Sequence, residues 1–426
     1  MGYLNIVEKL VTSYKINLHE GLSFSDLPFF EKYVAEIKFN KISDFGIGIS
    51  IKNKIIAKER AVFESIEREC LFYNKRDRQN FIKSSIKELD KKNIKHIDIN
   101  NGLYFSKYQI KNNPRQLKIS RVNKFYWTSS IEFHTKEKVL IPSQLIYLNA
   151  GNNEKVIQQP ISTGGAGGIN QNDAILRGIF EVIERDAFMI HYLAKTYGEL
   201  IDYSMNKRLM KIKKYLKQYN LEWYLVSLPT DLNIYTILSF IIDKTKLGVP
   251  LSCGMKTGLN PYKVTIGAIE ESYMGLTFSR KNLVDKDLNK VDEKNIFTMK
   301  QRDLYWTNKG KLKYINSWIK NKRKIKFDEM KNLSQNNINK DLNFVSNILK
   351  SKNHNIYYVD IQKEDFKKYG EFEIVKVIIP SLQPLYLNEK YKCLGGNRIY
   401  DIPVKLGYYR KPLKEEELNQ IPHFFL

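Results

Sequence analysis

The sequence predicts an α/β fold of the mixed α+β kind, on three observations. Strand-like and helix-like segments alternate along the whole length. Three long segments carry apolar residues at helical spacing, and short apolar runs between them read as strands. Neither a low-complexity linker nor a short-period repeat interrupts the series, so one compact unit is expected. Residues 1–40 read as an N-terminal extension packed on the core and 41–426 as a single domain.

Taken in order, Gly46–Ile51 reads as a strand and Ile56–Asn74 as the first long helix. Val139–Leu148 is apolar and strand-like, and Gly151-Asn152-Asn153 is a turn. Ile161–Gly168 reads as a flexible glycine-rich loop, with Asn172 as the N-cap of a helix from Asp173 to Ala194. Tyr235–Ile242 and Val249–Cys253 read as strands, and Pro261–Phe278 as a third long helix with proline in its first turn. Residues 283–352 are rich in Lys and Asn and are expected to be mostly helical. Ile356–Asp360 and Glu373–Ile379 read as strands before a Pro-Ser-Leu-Gln-Pro turn.

The 426 residues are 42% hydrophobic, enough to fill a sizeable core. No apolar run reaches the ~18 residues that span a bilayer, and no signal-peptide pattern opens the chain, which predicts a cytoplasmic protein without a membrane partner. Cys70, Cys253 and Cys393 lie too far apart for a zinc or disulfide framework. His19, His96, His134, His191, His354 and His423 show no metal-ligand spacing. The formal charge of +24 is spread along the chain, so it reads as a solvated basic face rather than a nucleic-acid site. The densest stretch, Lys309–Lys326, looks helical.

Two helices repeat one pattern, Glu64-Ser65-Ile66-Glu67-Arg68 and Glu181-Val182-Ile183-Glu184-Arg185. Spacing of three places both carboxylates of each pair on one helical face, where they repel and call for a cation. Mg²⁺ bound to nucleotide phosphates takes one or two protein carboxylates per ion, so four glutamates from two helices suit such a site. The third helix adds Glu270-Glu271, and Gly164–Gly168 leads into the second helix as an anion-holding loop would. It is neither a Walker loop nor a dinucleotide fingerprint.

The run STGGAGGINQNDAILRGIFEVIERDAFMIHYL, Ser162–Leu193, resembles the signature of the YcaO superfamily. The segment around Glu64 resembles that family's first Glu-x-x-Glu-Arg motif. Val359–Pro403 resembles the members that install azoline rings in ribosomal peptides. The resemblance runs from about residue 40 onward in the family's order. It implies an ATP-dependent cyclodehydratase subunit that phosphorylates a peptide amide oxygen to form thiazoline or oxazoline, as in a bacteriocin or cytolysin. By the same resemblance Glu64, Glu67, Glu181 and Glu184 hold Mg²⁺, while Arg68, Ser162, Thr163, Gly164, Arg185 and Glu271 bind ATP. His423 is the candidate for proton transfer. The partners implied are a precursor peptide, a separate E1-like leader-binding protein, a flavin-dependent dehydrogenase and a second copy in a homodimer.

Departures from the family pattern leave other readings open. Ala61 stands where the family has Ser, and Gly267 and Met274 stand where it has a basic residue and Gln. The sequence closes Ile421-Pro422-His423-Phe424-Phe425-Leu426 where azoline-forming members have a proline-rich tail. Lys256 or Lys263 is available to replace the missing cation. The alternatives are thioamide or amidine formation on the same site, and a docking scaffold without catalysis.

Overall fold

The computed structural model describes residues 3–21, 30–39, 42–51, 53–99, 104–245, 248–282, 291, 296–367 and 372–425. Three sheets carry the architecture. The first is antiparallel and ordered β1 (Asn17–Glu20), β2 (Phe30–Phe39), β3 (Ile42–Ile51). The second begins with β4 (Ile82–Ser85), β5 (Lys124–Glu132), β6 (Lys138–Pro142) and β7 (Gly165–Gly168). The third holds β8 (Glu199–Asp202), β9 (Leu221–Ser227), β10 (Tyr235–Asp243), β11 (Leu251–Gly258) and β12 (Lys324–Lys326), in the order β11-β10-β9-β8-β12. Strands β13 (Tyr357–Asp360) and β14 (Glu373–Ile378) return to complete the second sheet, ordered β4-β5-β13-β14-β7 with β6 on β5. The mixed α/β class expected from the alternation is the one observed.

Three long helices lie on these sheets. The first, Lys54–Cys70, starts at Asn53, whose side chain accepts from the Ile56 amide at 3.1 Å, a cap of the kind that contributes about 1 kcal/mol. Its buried stripe of Ala57, Ala61, Val62, Ile66 and Cys70 presses on β2 and β3. The approach is close: a Cβ on Gly48 would lie 1.7 Å from the Ala57 carbonyl oxygen. Ala61, fully buried in this seam, is a packing residue. The second helix, Gln171–Leu193, is buried along most of its length against β14 and β7. The third, Pro261–Asn282, lies on β10 and β11, and Met274 packs there into a cluster around Tyr273 and Ile237.

Several expectations change in detail. Ile161–Gly168 is not all loop, because Gly165–Gly168 pairs with β14 in register Gly165↔Lys376 to Gly168↔Glu373. The second helix is capped by Asn170, which accepts from the Asp173 amide at 3.0 Å, so it starts two residues before the expected Asp173 and Asn172 lies inside it. The first helix ends at Cys70 rather than Asn74, since Asn74 caps a separate short helix. Beyond β6 the apolar run turns into a 3₁₀ helix, Ser143–Leu145. Residues 283–290 and 292–295 lie outside the described residues, and the rest of 283–352 is mixed. It holds helices Met299–Trp306 and Ile338–Ser351, but Lys309–Lys326 passes through a 3₁₀ turn, one helical turn and β12. The division drawn after residue 40 falls between β2 and β3, which pair from Phe30↔Ile51 to Phe39↔Ile42.

Candidate functional site

Strand β7 and the residues before it stand between the two ExxER helices. The Gly167 amide donates to Glu67 Oε2 at 3.0 Å, and the Gly164 amide donates to Glu181 Oε2 at 3.0 Å. One short glycine-rich segment therefore holds a carboxylate from each helix. Gly164 has φ +86°, and a Cβ there would meet the Val377 carbonyl oxygen at 2.2 Å, so no other residue fits. The Ser162 carbonyl accepts from the Gly165 amide at 2.8 Å and closes the turn. Ser162 is exposed, whereas Thr163 lines a small cavity of about 40 Å³ with Val182, Arg185, Lys376 and Gln383.

Each acid has a distinct setting. Glu64 accepts from the Ile47 amide at 2.8 Å and pairs with Arg68 Nη2 at 2.9 Å. Glu184 is buried, and Arg185 Nη1 lies 3.1 Å from its Oε1 without hydrogen-bond alignment. Arg185 Nη2 lies 3.5 Å from Glu181 Oε1, so one guanidinium is shared by two carboxylates. From the third helix, Glu271 accepts from the Met255 amide at 3.2 Å and from Lys256 Nζ at 2.9 Å. Its neighbour Glu270 faces away, bound to Arg60 Nη1 at 2.7 Å and to the Ile51 amide at 2.9 Å.

These acids act on one another. Burial pushes the Glu67 carboxyl up to about 8, and the nearby charges of Glu181 and Glu64 add to the rise. Burial likewise pushes Glu184 up to about 8, Arg185 opposing and Glu271 and Glu181 reinforcing. Two helices, joined by the third, thus bring five carboxylates into one electrostatic unit, in which the neighbouring Arg and Lys side chains leave the Glu67 and Glu184 carboxyls raised. A divalent cation is what such a unit accepts, because its field allows both raised carboxyls to ionise. Among the described residues no three His, Cys, Asp or Glu side chains converge tightly enough to hold an ion alone. Phosphate oxygens would complete the shell, which is the usual arrangement for Mg²⁺ on a nucleotide. The residues fit that group.

Two cations at the site come from strands. Lys376 on β14 is buried, donates to the Ile161 carbonyl at 2.7 Å, and is pulled down to about 8 by burial although Glu181 and Glu67 oppose the shift. Lys256 on β11 is raised, chiefly by Glu271 and also by Glu184 and Glu181. Sequence reasoning passed over Lys376. Its signal was a lone lysine inside the apolar strand EIVKVI, where a buried charge needs a partner.

His423 does not join the carboxylates as a proton carrier. Its ring is wholly buried between Phe188, Tyr192 and Tyr386, its Nε2–H donates to the Tyr386 carbonyl at 2.6 Å, and burial holds its pKa far below the usual imidazole range. The segment around it is instead threaded through the core. Tyr192 Oη and Trp306 Nε1 donate to the Pro422 carbonyl at 3.0 and 3.1 Å, and Arg302 Nη1 donates to that of His423 at 2.9 Å. This path delivers the Phe425 ring to Arg185, whose guanidinium stands 4.3 Å from the ring centroid. The three cysteines are free thiols, and burial pushes Cys70 up to about 12.

Solved structures share this architecture. A heterocyclase in complex with substrate and cofactor superposes with a TM-score of 0.78 at 18% identity, over 98% of this chain and 57% of its own. The chain thus spans little more than half the length of that relative. The YcaO protein from Methanopyrus kandleri, bound with AMPPCP and Mg²⁺, gives a TM-score of 0.67 at 12% identity, covering 90% of this chain and 91% of its own. The E. coli microcin synthetase McbBCD complex with pro-MccB17 bound gives 0.58 at 13% identity, covering 86% and 88%. No curated protein matches the sequence. The family model described as YcaO cyclodehydratase, ATP- and Mg²⁺-binding, matches residues 52–383, well over half of the chain. With both ExxER helices, the glycine strand and the third-helix acid inside that match, the chain belongs to the YcaO cyclodehydratase family.

Proposed function

We propose that this chain is the ATP-dependent cyclodehydratase subunit that converts Cys, Ser or Thr residues of a ribosomally made peptide into thiazolines or oxazolines. The observation that carries the reading is the shared grip of Gly164 and Gly167 on Glu181 and Glu67, which turns two separate carboxylate helices toward one centre. In this reading Glu64, Glu67, Glu181 and Glu184 hold Mg²⁺. Arg68 and Arg185 supply charge to phosphate, and Ser162, Thr163 and Gly164 form the nucleotide loop. Glu271 orients Lys256, and Lys376 steadies the turn through Ile161.

Bound ATP and Mg²⁺ would supply the phosphoryl group and the charge neutralisation on which phosphoryl transfer depends. The peptide side chain bonds to the preceding carbonyl carbon. The former carbonyl oxygen departs as phosphate, so each ring removes one water from the peptide. The protein's own share is to hold the reacting groups in place and away from bulk water. A precursor peptide, a separate E1-like leader-binding protein, a flavin-dependent dehydrogenase and a homodimeric arrangement belong to the same proposal. So does a cytoplasmic location, where ATP is available. Among the described residues no helix is long and apolar enough to cross a membrane.

The test combines purified chain, Mg²⁺, ATP, its E1-like partner and the precursor peptide, with ATP consumption and intact peptide mass as readouts. Loss of one water mass per site, abolished in Glu67→Ala/Glu184→Ala, is the expected result. Exchange of oxygen for sulfur in the peptide mass assigns thioamide chemistry, and loss of water with no Cys, Ser or Thr side chain consumed assigns amidine chemistry. Association without nucleotide turnover removes the enzyme reading in favour of a scaffold.

A further inference from the structure

The third helix and strand β11 meet in an unusual way beside the carboxylates. A Cβ on Gly267 would lie 2.9 Å from Lys256 Cγ and 3.2 Å from Cδ, so the lysine stem fills the space one turn before Glu271 where a side chain of the helix would stand. From there Nζ reaches Glu271 Oε1 at 2.9 Å and lies in the field of Glu184 and Glu181. The lysine is not needed to fix Glu271, which the Met255 amide already holds at 3.2 Å. Nor is it locked in the core: its side chain is 51% exposed beside Glu271. Lys263, the other candidate, is exposed and among the described residues forms no salt bridge with these acids.

We propose that Lys256 is the cation that meets the outer phosphates of the bound nucleoside triphosphate, delivered from β11 into the space that Gly267 leaves open on the third helix. The inference rests on the nucleotide-site reading above. It turns Gly267 from a lost function into half of a size exchange: a small residue on the helix allows a long one on the strand. A long, flexible ammonium suits the role because it carries three donors and can follow a phosphate as it moves.

Calorimetric titration of the full chain with AMPPCP and Mg²⁺, and in parallel with AMP, tests the assignment. Lys256→Met keeps the stem but removes the charge. It is expected to weaken AMPPCP binding about tenfold while AMP affinity changes less than about twofold. Lys256→Gln is expected to do the same, and Gly267→Arg added to Lys256→Ala, which clears the stem, to recover most of the loss of the Lys256→Ala variant by restoring a cation from the helix. Unchanged AMPPCP affinity in both Lys256 variants, or an equal loss for AMP, overturns the assignment. Failure of the parent chain to bind AMPPCP at all removes instead the reading of the site on which it rests.

Discussion

Each of the three long helices carries two acids close together in sequence whose fates differ. On the first, Glu69 is buried in a direct ion pair with Lys363, while Glu67 two residues earlier is met by the Gly167 amide, other carboxylates and the more distant charge of Arg68. On the second, Asp186 receives both Nε and Nη2 of Arg398 at 2.7 Å and the Gln383 amide at 2.8 Å. Glu184, on the same helix, has the misaligned Arg185 as its ion-pair partner among the described residues, with Lys256 acting from farther off. On the third, Glu270 is satisfied by Arg60 and Ile51, while Glu271 shares its lysine with the site. The satisfied acids fasten helices to strands and turns. Glu67 and Glu184 are left with carboxyls raised to about 8, which an added cation would allow to ionise. On the first two helices a well-aligned cation therefore marks the acid that builds the fold, and the buried acid without one is available for chemistry.

The comparison can be broken at either side. The largest effect belongs to the unsatisfied set: Glu67→Gln/Glu184→Gln should lower ATP-dependent peptide modification by about 10³-fold or more while leaving the fold intact, measured by peptide mass and circular dichroism. The satisfied set should answer in stability. Arg398→Met leaves Asp186 buried without its partner and should cost about 3–5 kcal/mol in urea unfolding.

A smaller effect appears in pH. Glu67 and Glu184 have folded values near 8, above the ordinary range near 4.5, so their protonated forms favour the fold. That contribution is complete below about pH 4.5 and is lost progressively as pH rises through 8. Without Mg²⁺ and nucleotide the midpoint of urea unfolding should fall across this window, and Glu67→Gln/Glu184→Gln should flatten the slope. The smallest effect is at Phe425: Phe425→Leu keeps an apolar contact but removes the ring beneath Arg185. It should shift the apparent KM for ATP by a few-fold, about 1 kcal/mol, with little change in melting temperature.

Sequence periodicity made the two ExxER faces legible, because a spacing of three on an apolar-striped helix leaves little freedom in where the carboxylates point. The strands around Tyr235–Ile242 and Glu373–Ile379 were legible for the same reason of pattern. The glycine segment was not: Gly-Ala-Gly-Gly has poor strand propensity, and only its pairing with β14 makes it a strand. The setting of His423 was invisible, and Lys256 was legible only as one of two lysines available to replace the missing cation, since both placements depend on contacts between residues far apart in the chain. His423 is enclosed by residues from the second helix and from Tyr386, and Lys256 is placed by the size of Gly267. The cap at Asn170 was displaced from Asn172 because two asparagines offer the same chemistry and only backbone geometry chooses.

The grip on Glu67 and Glu181 is made by peptide groups rather than by side chains. Two amides three residues apart in one segment therefore read the positions of two helices at once. In an NMR spectrum the Gly164 and Gly167 signals would move together whenever either helix shifts, and their exchange with solvent would slow when the carboxylates are drawn into a filled site. A pair of built-in reporters of this kind lets occupancy be followed without a substrate or a substitution.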